Sequence, residues 1–339
     1  MNSRERLRTI FNKRPADRCG FWTGNPHPDT VPLYLNHFKV PNLEGLYTLL
    51  NDDFRWICPQ WTSYRHPEGK GMFVVTKGLE CNLGHGAPGP LAYCEDPREI
   101  DRLDWPDPRH MDYSVSLEAL RACGPHYRAS GMWCCFFHNV MDLFGLENYF
   151  VKMYTHPEVV EAVTRRVCEF YLACNEDFFR LAGREVDGFF FGNDFGTQLD
   201  LFLAPEMFDR FVLPWFRKFT DQGHAHGYQV ILHSCGAIHK VIGRLIDAGV
   251  DALHPLQARA ANMDAATLAR DFKGQIAFMG GIDTQELLVR GTPDDIRREV
   301  RRVIDLLGPA LVVSPSHEAL LPNVPPENVR ALAEAATAG

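Results

Sequence analysis

The chain has 339 residues, 45% of them hydrophobic and 23% charged, with a net charge of −8. A chain of this size buries a full core without staples, and its acidic excess argues against nucleic acid or an anionic membrane surface as the main partner. The N-terminus, MNSRERLRTIFNKRP, carries no apolar signal-type run, no stretch reaches the length of a membrane span, and the ten cysteines follow no framework spacing. A cytoplasmic protein with reduced thiols is therefore expected.

Taken in order, residues 2 to 13 read as a helix closed by Pro15. Cys19 to Thr23 reads as a first strand, leaving through the polar loop Gly24 to Asp29. Loops of that kind carry sites, so Trp22, Asn25 and His27 are candidate substrate contacts. A mostly helical stretch runs to Leu50, and Phe54 to Cys58 is a second strand. Residues 60 to 110 form an insertion, with strand character at Met72 to Thr76 and a short helix from Pro97 to Leu103. Within it, residues 61 to 94 are long and punctuated by glycine, which points to a lid or a docking surface. Met132 to Phe137 reads as a third strand ending at His138-Asn139, another candidate substrate contact. Adjacent Cys134 and Cys135 would then be small core fillers.

Leu146 to Tyr154 and Pro157 to Ala182 read as helices, the second carrying Val160, Val163, Val167, Phe170 and Tyr171 at helical spacing. Gly188 to Phe191 is a fourth strand, ending on Gly192-Asn193-Asp194. Pro205 to Gln222 is helical. Strands five, Tyr228 to Leu232, and six, Val250 to Leu253, flank a helix with Val241, Ile242, Leu245 and Ile246 on one face. Gln275 to Met279 is strand seven, ending near Asp283. Pro293 to Leu307 is an amphipathic helix, Ala310 to Val313 is strand eight, and Pro326 to Ala336 closes the chain. Eight strand-then-helix steps predict a single (β/α)8 barrel over residues 1–339, with its insertion after strand two. The polar strand ends then converge on one mouth.

Strand five ends on His233-Ser234-Cys235-Gly236. His233 and Cys235 are two residues apart, so an extended segment presents imidazole and thiol to the same side, half of a zinc site. His317, after strand eight, can complete a three-ligand set across the mouth and leave a fourth position open. His254, after strand six, is either a further ligand or orienting group or a satisfied core histidine.

Six blocks carry a resemblance to a known family: NDDFRWICP (51–59), PLAYCEDPREIDRLDWPDP (90–108), FGNDFGTQLDLFLAPEMFDRFVLPWF (191–216), HSCGAIHKVIGRLIDAGVDALHPLQ (233–257), MGGIDTQELLVRGTPDDIRREVRRVI (279–304) and SPSHEALLPNVPPENVRAL (314–332). In order and spacing they resemble the uroporphyrinogen decarboxylase superfamily, which implies a (β/α)8 barrel. True decarboxylases hold a polycarboxylate with an arginine-rich loop near the N-terminus. Trp22 to Asp29 has neither arginine nor lysine, which is electrostatically wrong for that substrate.

The H-x-C-G motif instead resembles the zinc- and cobalamin-dependent methyltransferase branch. The methylcobalamin:coenzyme M enzymes of that branch use a His-x-Cys pair and a later Cys, and His317 stands where the later Cys would be. The resemblance implies methyl transfer between a corrinoid, supplied by the substrate or by a separate corrinoid protein, and a small-molecule donor or acceptor. It implies zinc on His233, Cys235 and His317. Asn193-Asp194 with Gln198 resembles a family GDDxGTQ block, and these residues, with His254, Gln257 and Asp283, are expected to act on or bind substrate. A decarboxylase of a less anionic substrate, and a non-catalytic corrinoid- or partner-binding protein, are the alternatives.

Overall fold

Eight short parallel strands form one sheet: β1 Gly20–Phe21, β2 Phe54–Trp56, β3 Tyr127–Ser130, β4 Gly188–Gly192, β5 Gln229–His233, β6 Ala252–His254, β7 Ala277–Ile282 and β8 Leu311–Pro315. In this computed structural model, which describes residues 1–76 and 87–338, their order is β1-β8-β7-β6-β5-β4-β3-β2. The two ends of that order meet where Asp53 N–H donates to the Phe21 carbonyl at 2.9 Å and Phe21 N–H donates to the Asp53 carboxylate at 3.0 Å. Helices surround the strands, and the architecture is a (β/α)8 barrel. No described helix is long and apolar enough to cross a membrane.

The strands are buried along nearly their whole length, as all-parallel strands between helices must be. Inward residues Trp22, Phe54, Tyr127, Phe190, Ile231, Ala252, Met279 and Val312 fill the barrel. The N-terminal helix Ser3–Phe11 closes the end away from the mouth. Its start is fixed by a capping box in which the Asn2 side chain accepts Glu5 N–H and the Glu5 side chain accepts Asn2 N–H. It buries Leu7, Ile10 and Phe11, the last edge-on to Tyr127 at 5.1 Å. Two buried carboxylates at the strand starts tie it down: Asp53 takes Arg6 Nη1 at 2.7 Å and Asp187 takes Arg4 Nε at 2.6 Å. A second apolar core lies between the sheet and its helices.

Three sequence-based expectations are corrected. The third barrel strand is Tyr127–Ser130, not Met132 to Phe137. Its Tyr-Arg-Ala-Ser sequence lacks an apolar run because Arg128 leaves the barrel to pair with Glu185 and Asp187. The apolar run that follows turns at Gly131 (φ 109°) and enters the helix Phe136–Phe144, so Cys134 and Cys135 sit in a turn and His138 on the first helical turn.

Met72 to Thr76 forms no strand; Phe73 has φ 60°, which ends any extended run, and its ring packs on Phe170 at 5.4 Å. Pro205 to Gln222 is two helices, Pro205–Phe211 and Leu213–Ala225, because Pro214 cannot continue the first. Residues 57 to 126 run between β2 and β3 and hold only short helical turns and the helix Ser114–Ala122 among their described residues. Of the segment 61 to 94 expected as a lid or docking surface, residues 77–86 lie outside the described residues.

Candidate metal centre

Sheet register assembles the centre. Gly192 pairs with His233, and His233 with His254, so the ends of β4, β5 and β6 stand abreast. The two imidazoles meet at 3.0 Å through their Nδ1 atoms. One Nδ1 must donate and the other accept. When a metal replaces the Nε2 proton, the proton left on His233 Nδ1 can donate to His254 and the Nε2 lone pair faces the mouth.

Around that Nε2 lie the Cys235 Sγ and the Asp194 Oδ1, each at 3.4 Å. Zinc bonds of about 2.0–2.3 Å in a tetrahedron place neighbouring donors about 3.3–3.7 Å apart. Both separations from Nε2 fall in that range, and the three N, S and O donors lie within 4.8 Å of one another, close enough to share one metal ion. Asp194 also accepts the Cys235 backbone N–H at 2.8 Å, which fixes the thiol's position. A second group, His233, His254 and Glu318, lies on the other side of the same ring. The Glu318 Oε2 is buried with no hydrogen-bond donor, 3.6 Å from His233 Nδ1 and 3.7 Å from His317 Nδ1.

The mouth cavity, about 290 Å³, is lined by Asp194, Glu318, His138, His233 and His317 together with Trp133, and by no lysine or arginine among the described residues. Burial pushes the His233 pKa down, but Glu318 and Asp194 more than reverse it. Asp194 is pushed up by burial and then held below the ordinary carboxylate range by its hydrogen bond to His233. Burial raises the Cys235 thiol, with His233 opposing. Two carboxylates, with no lysine or arginine among the described lining residues, leave the cavity acidic, a setting that favours a cation. His254, buried and beside His233 and His317, is held well below its usual pKa and stays neutral.

His317 lines the same cavity, its ring centroid 6.4 Å from that of His233. Its Nδ1 accepts Ala319 N–H at 3.1 Å, so in this arrangement its Nε2 carries the proton and is a donor rather than a ligand. Trp22 is buried in the barrel, tilted against His254 at 5.1 Å. Asn193 spends its amide on the turn before Phe136–Phe144, accepting Phe137 N–H at 2.9 Å and donating to the Cys134 carbonyl at 2.8 Å. It thereby positions Trp133 and His138.

Gln198 Nε2 donates to Gln257 Oε1 at 2.8 Å, in a neighbouring cavity that also includes Asp283 and His317. Asn25 pairs in a two-stranded ladder with Ala319, and His27 is half-exposed with its Nδ1 accepting Asp29 N–H. Neither Asn25 nor His27 lines the central cavity.

Sequence reasoning missed Glu318 and Trp133. Glu318 adjoins His317 and carried no pattern of its own. Trp133 fell in the run misread as a strand. Its ring packs on Trp56 at 4.8 Å, on Phe190 at 5.6 Å and on His233 at 5.4 Å, which gives the centre an aromatic floor. A Cβ at Gly192 would overlap that indole, so β4 must end in glycine there.

The uroporphyrinogen decarboxylase (URO-D) family matches residues 74–338. The chain belongs to that family. Its fold is shared with a methyltransferase from Methanosarcina mazei, at 16% identity and a TM-score of 0.70, over 99% of this chain and 98% of that one. Among curated proteins none matches it significantly. Membership places it in a family of enzymes, and the His233 cluster lies at the mouth of this chain's own barrel.

Proposed function

We propose that this URO-D family member transfers a methyl group between a corrinoid and a small molecule at the barrel mouth, with zinc held by His233, Cys235 and Asp194. The observation that carries the reading is the set of N, S and O donors clustered around His233 Nε2, in a mouth cavity with acidic groups and no lysine or arginine among the described residues. The same deficit disfavours decarboxylation of a polycarboxylate, which needs cations. The M. mazei methyltransferase sharing the fold adds support.

Zinc, when bound, supplies a Lewis acid that holds a thiol deprotonated near neutral pH. The chain's own residues do the rest. His254 accepts the His233 Nδ1 proton and so orients Nε2 to the mouth. Asp194 fixes Cys235 through its backbone N–H. Trp56, Trp133 and Phe190 exclude water from beneath the reacting atoms. His317, with its proton on Nε2, offers a hydrogen bond from the rim.

The corrinoid enters as substrate, free or on a separate protein. With a thiol acceptor, the S–H proton is lost and an S–CH3 bond forms as the Co–CH3 bond breaks, its electron pair remaining on cobalt. His317 can become a ligand through Nδ1 by releasing Ala319 N–H, or through Nε2 by releasing that bond and moving the proton to Nδ1.

The test is absorbance of methylcobalamin mixed with the zinc-loaded protein and a panel of small thiols. Demethylation that disappears in His233→Ala is expected. Release of carbon dioxide from uroporphyrinogen by the metal-free protein, with methylcobalamin untouched, would overturn the reading.

A further inference from the structure

We infer that the cavity beside the centre binds the carboxylate end of the small molecule that gives or takes the methyl group, and that Arg259 selects it. This rests on the methyl-transfer reading. The cavity is about 300 Å³ and shares His317 with the central one, so one small molecule can span both. Its charged lining residues are Arg259 and Asp283.

Asp283 is already satisfied. Its Oδ1 accepts Gln285 N–H at 3.0 Å, and its Oδ2 accepts Glu286 and Leu287 N–H at 3.1 Å each. Arg259 is not. Its guanidinium lies 3.9 Å from Asp283, beyond hydrogen-bond range, its side chain is 55% exposed, and it has no other ion pair among the described residues. A fork of N–H donors is left for an incoming acceptor.

The neutral lining points the same way. Gln257 Oε1 accepts both Gly236 N–H at 2.9 Å and the Gln198 amide at 2.8 Å, so the capacity Gln257 has left is its Nε2 donor. His317 adds an Nε2–H at the junction of the two cavities. Three donor groups and one capped carboxylate fit an acceptor-rich anion, and Val289 and Leu321 leave room for a short hydrocarbon spacer. One arginine in 300 Å³ fits a single anionic group on a small molecule, not a macrocycle bearing many.

The probes are methoxyacetate against its neutral amide, an ether pair needing no metal, and 3-mercaptopropionate against 2-mercaptoethanol, the thiol pair. Affinities are read by ligand-observed NMR on the purified protein. The charged member of at least one pair should bind about tenfold tighter to the wild type, the size expected of a charge-assisted hydrogen bond. The charged ether favoured means a methyl donor; the charged thiol favoured means an acceptor. Arg259→Gln should erase the preference, and Arg259→Lys should keep part of it. Added salt should shrink it in the wild type, a check that needs no variant.

Equal binding of charged and neutral members, or a preference that survives Arg259→Gln, would overturn the assignment. An Arg259-dependent preference without any methylcobalamin demethylation would remove the reaction and keep the anion site. Demethylation equally fast with neutral and charged thiols in wild type and Arg259→Gln would do the reverse.

Discussion

Replacing His254 by phenylalanine isolates the orientation of the centre from its ligands. The His254 ring is fully buried and packs on Trp22 at 5.1 Å and on Phe190 at 5.5 Å, so a ring of similar shape keeps those contacts. What is lost is the 3.0 Å bond between the two Nδ1 atoms. The His233 Nδ1–H is then left buried, with Glu318 Oε2 at 3.6 Å as its nearest substitute.

An unsatisfied buried donor costs about 1–3 kcal/mol, or about 5- to 150-fold in an equilibrium constant. Loss of a partner that orients a metal-ligating histidine costs about 10- to 100-fold in affinity. Glu318 can recover part of the hydrogen bond, so the lower half of that range, about 10- to 30-fold, is expected for zinc. Competition against a chromophoric chelator measures it, with circular dichroism confirming the fold. A zinc affinity within about twofold of wild type, while His233→Ala abolishes binding, would refute the orienting role.

Asp53→Ala should destabilise by about 3 kcal/mol in urea unfolding, because it leaves buried Arg6 and Arg18 short of a carboxylate and Phe21 N–H without its acceptor; an unchanged midpoint would contradict the anchoring of the N-terminal helix. Asp194→Ala should lose zinc on gel filtration while His317→Ala retains it, and the opposite pattern would exchange their roles. His224 has its pKa raised by its 2.9 Å hydrogen bond to Asp251, with burial opposing. A raised folded pKa gives stability that is complete below the unfolded value, about 6.5, and lost as pH rises through the folded one. His224→Gln should therefore lower the melting temperature at pH 6 and make no difference at pH 9. The ring is 41% exposed, so the effect stays under about 1 kcal/mol. A deficit that grew with pH would have the wrong sign.

The fold was legible where local chemistry and packing agree. Gly188 to Phe191 and Pro293 to Leu307 read from sequence alone as they stand in the structure, because buried parallel strands are apolar throughout and outer helices are amphipathic. Tyr127–Ser130 was missed because a barrel strand can spend an outward position on a paired arginine, and the richer apolar run beside it belongs to a turn and a helix.

Within the centre, His233 and Cys235 showed in their spacing. Their closeness to Asp194, to His254 and to Glu318 comes from register between strands distant in sequence, which no local pattern encodes. His317 was legible as a mouth residue, but its Nδ1 bond to Ala319 depends on a small ladder between Ala319–Leu320 and Asn25–Pro26.

X-ray absorption at the zinc edge tests the centre most directly. The purified protein should hold about one zinc per chain with one sulfur neighbour near 2.3 Å and nitrogen or oxygen neighbours near 2.0–2.2 Å. The sulfur shell and the bound metal should both be lost in Cys235→Ser. A zinc shell without sulfur, or stoichiometric zinc retained in Cys235→Ser, would contradict a centre built on His233 and Cys235.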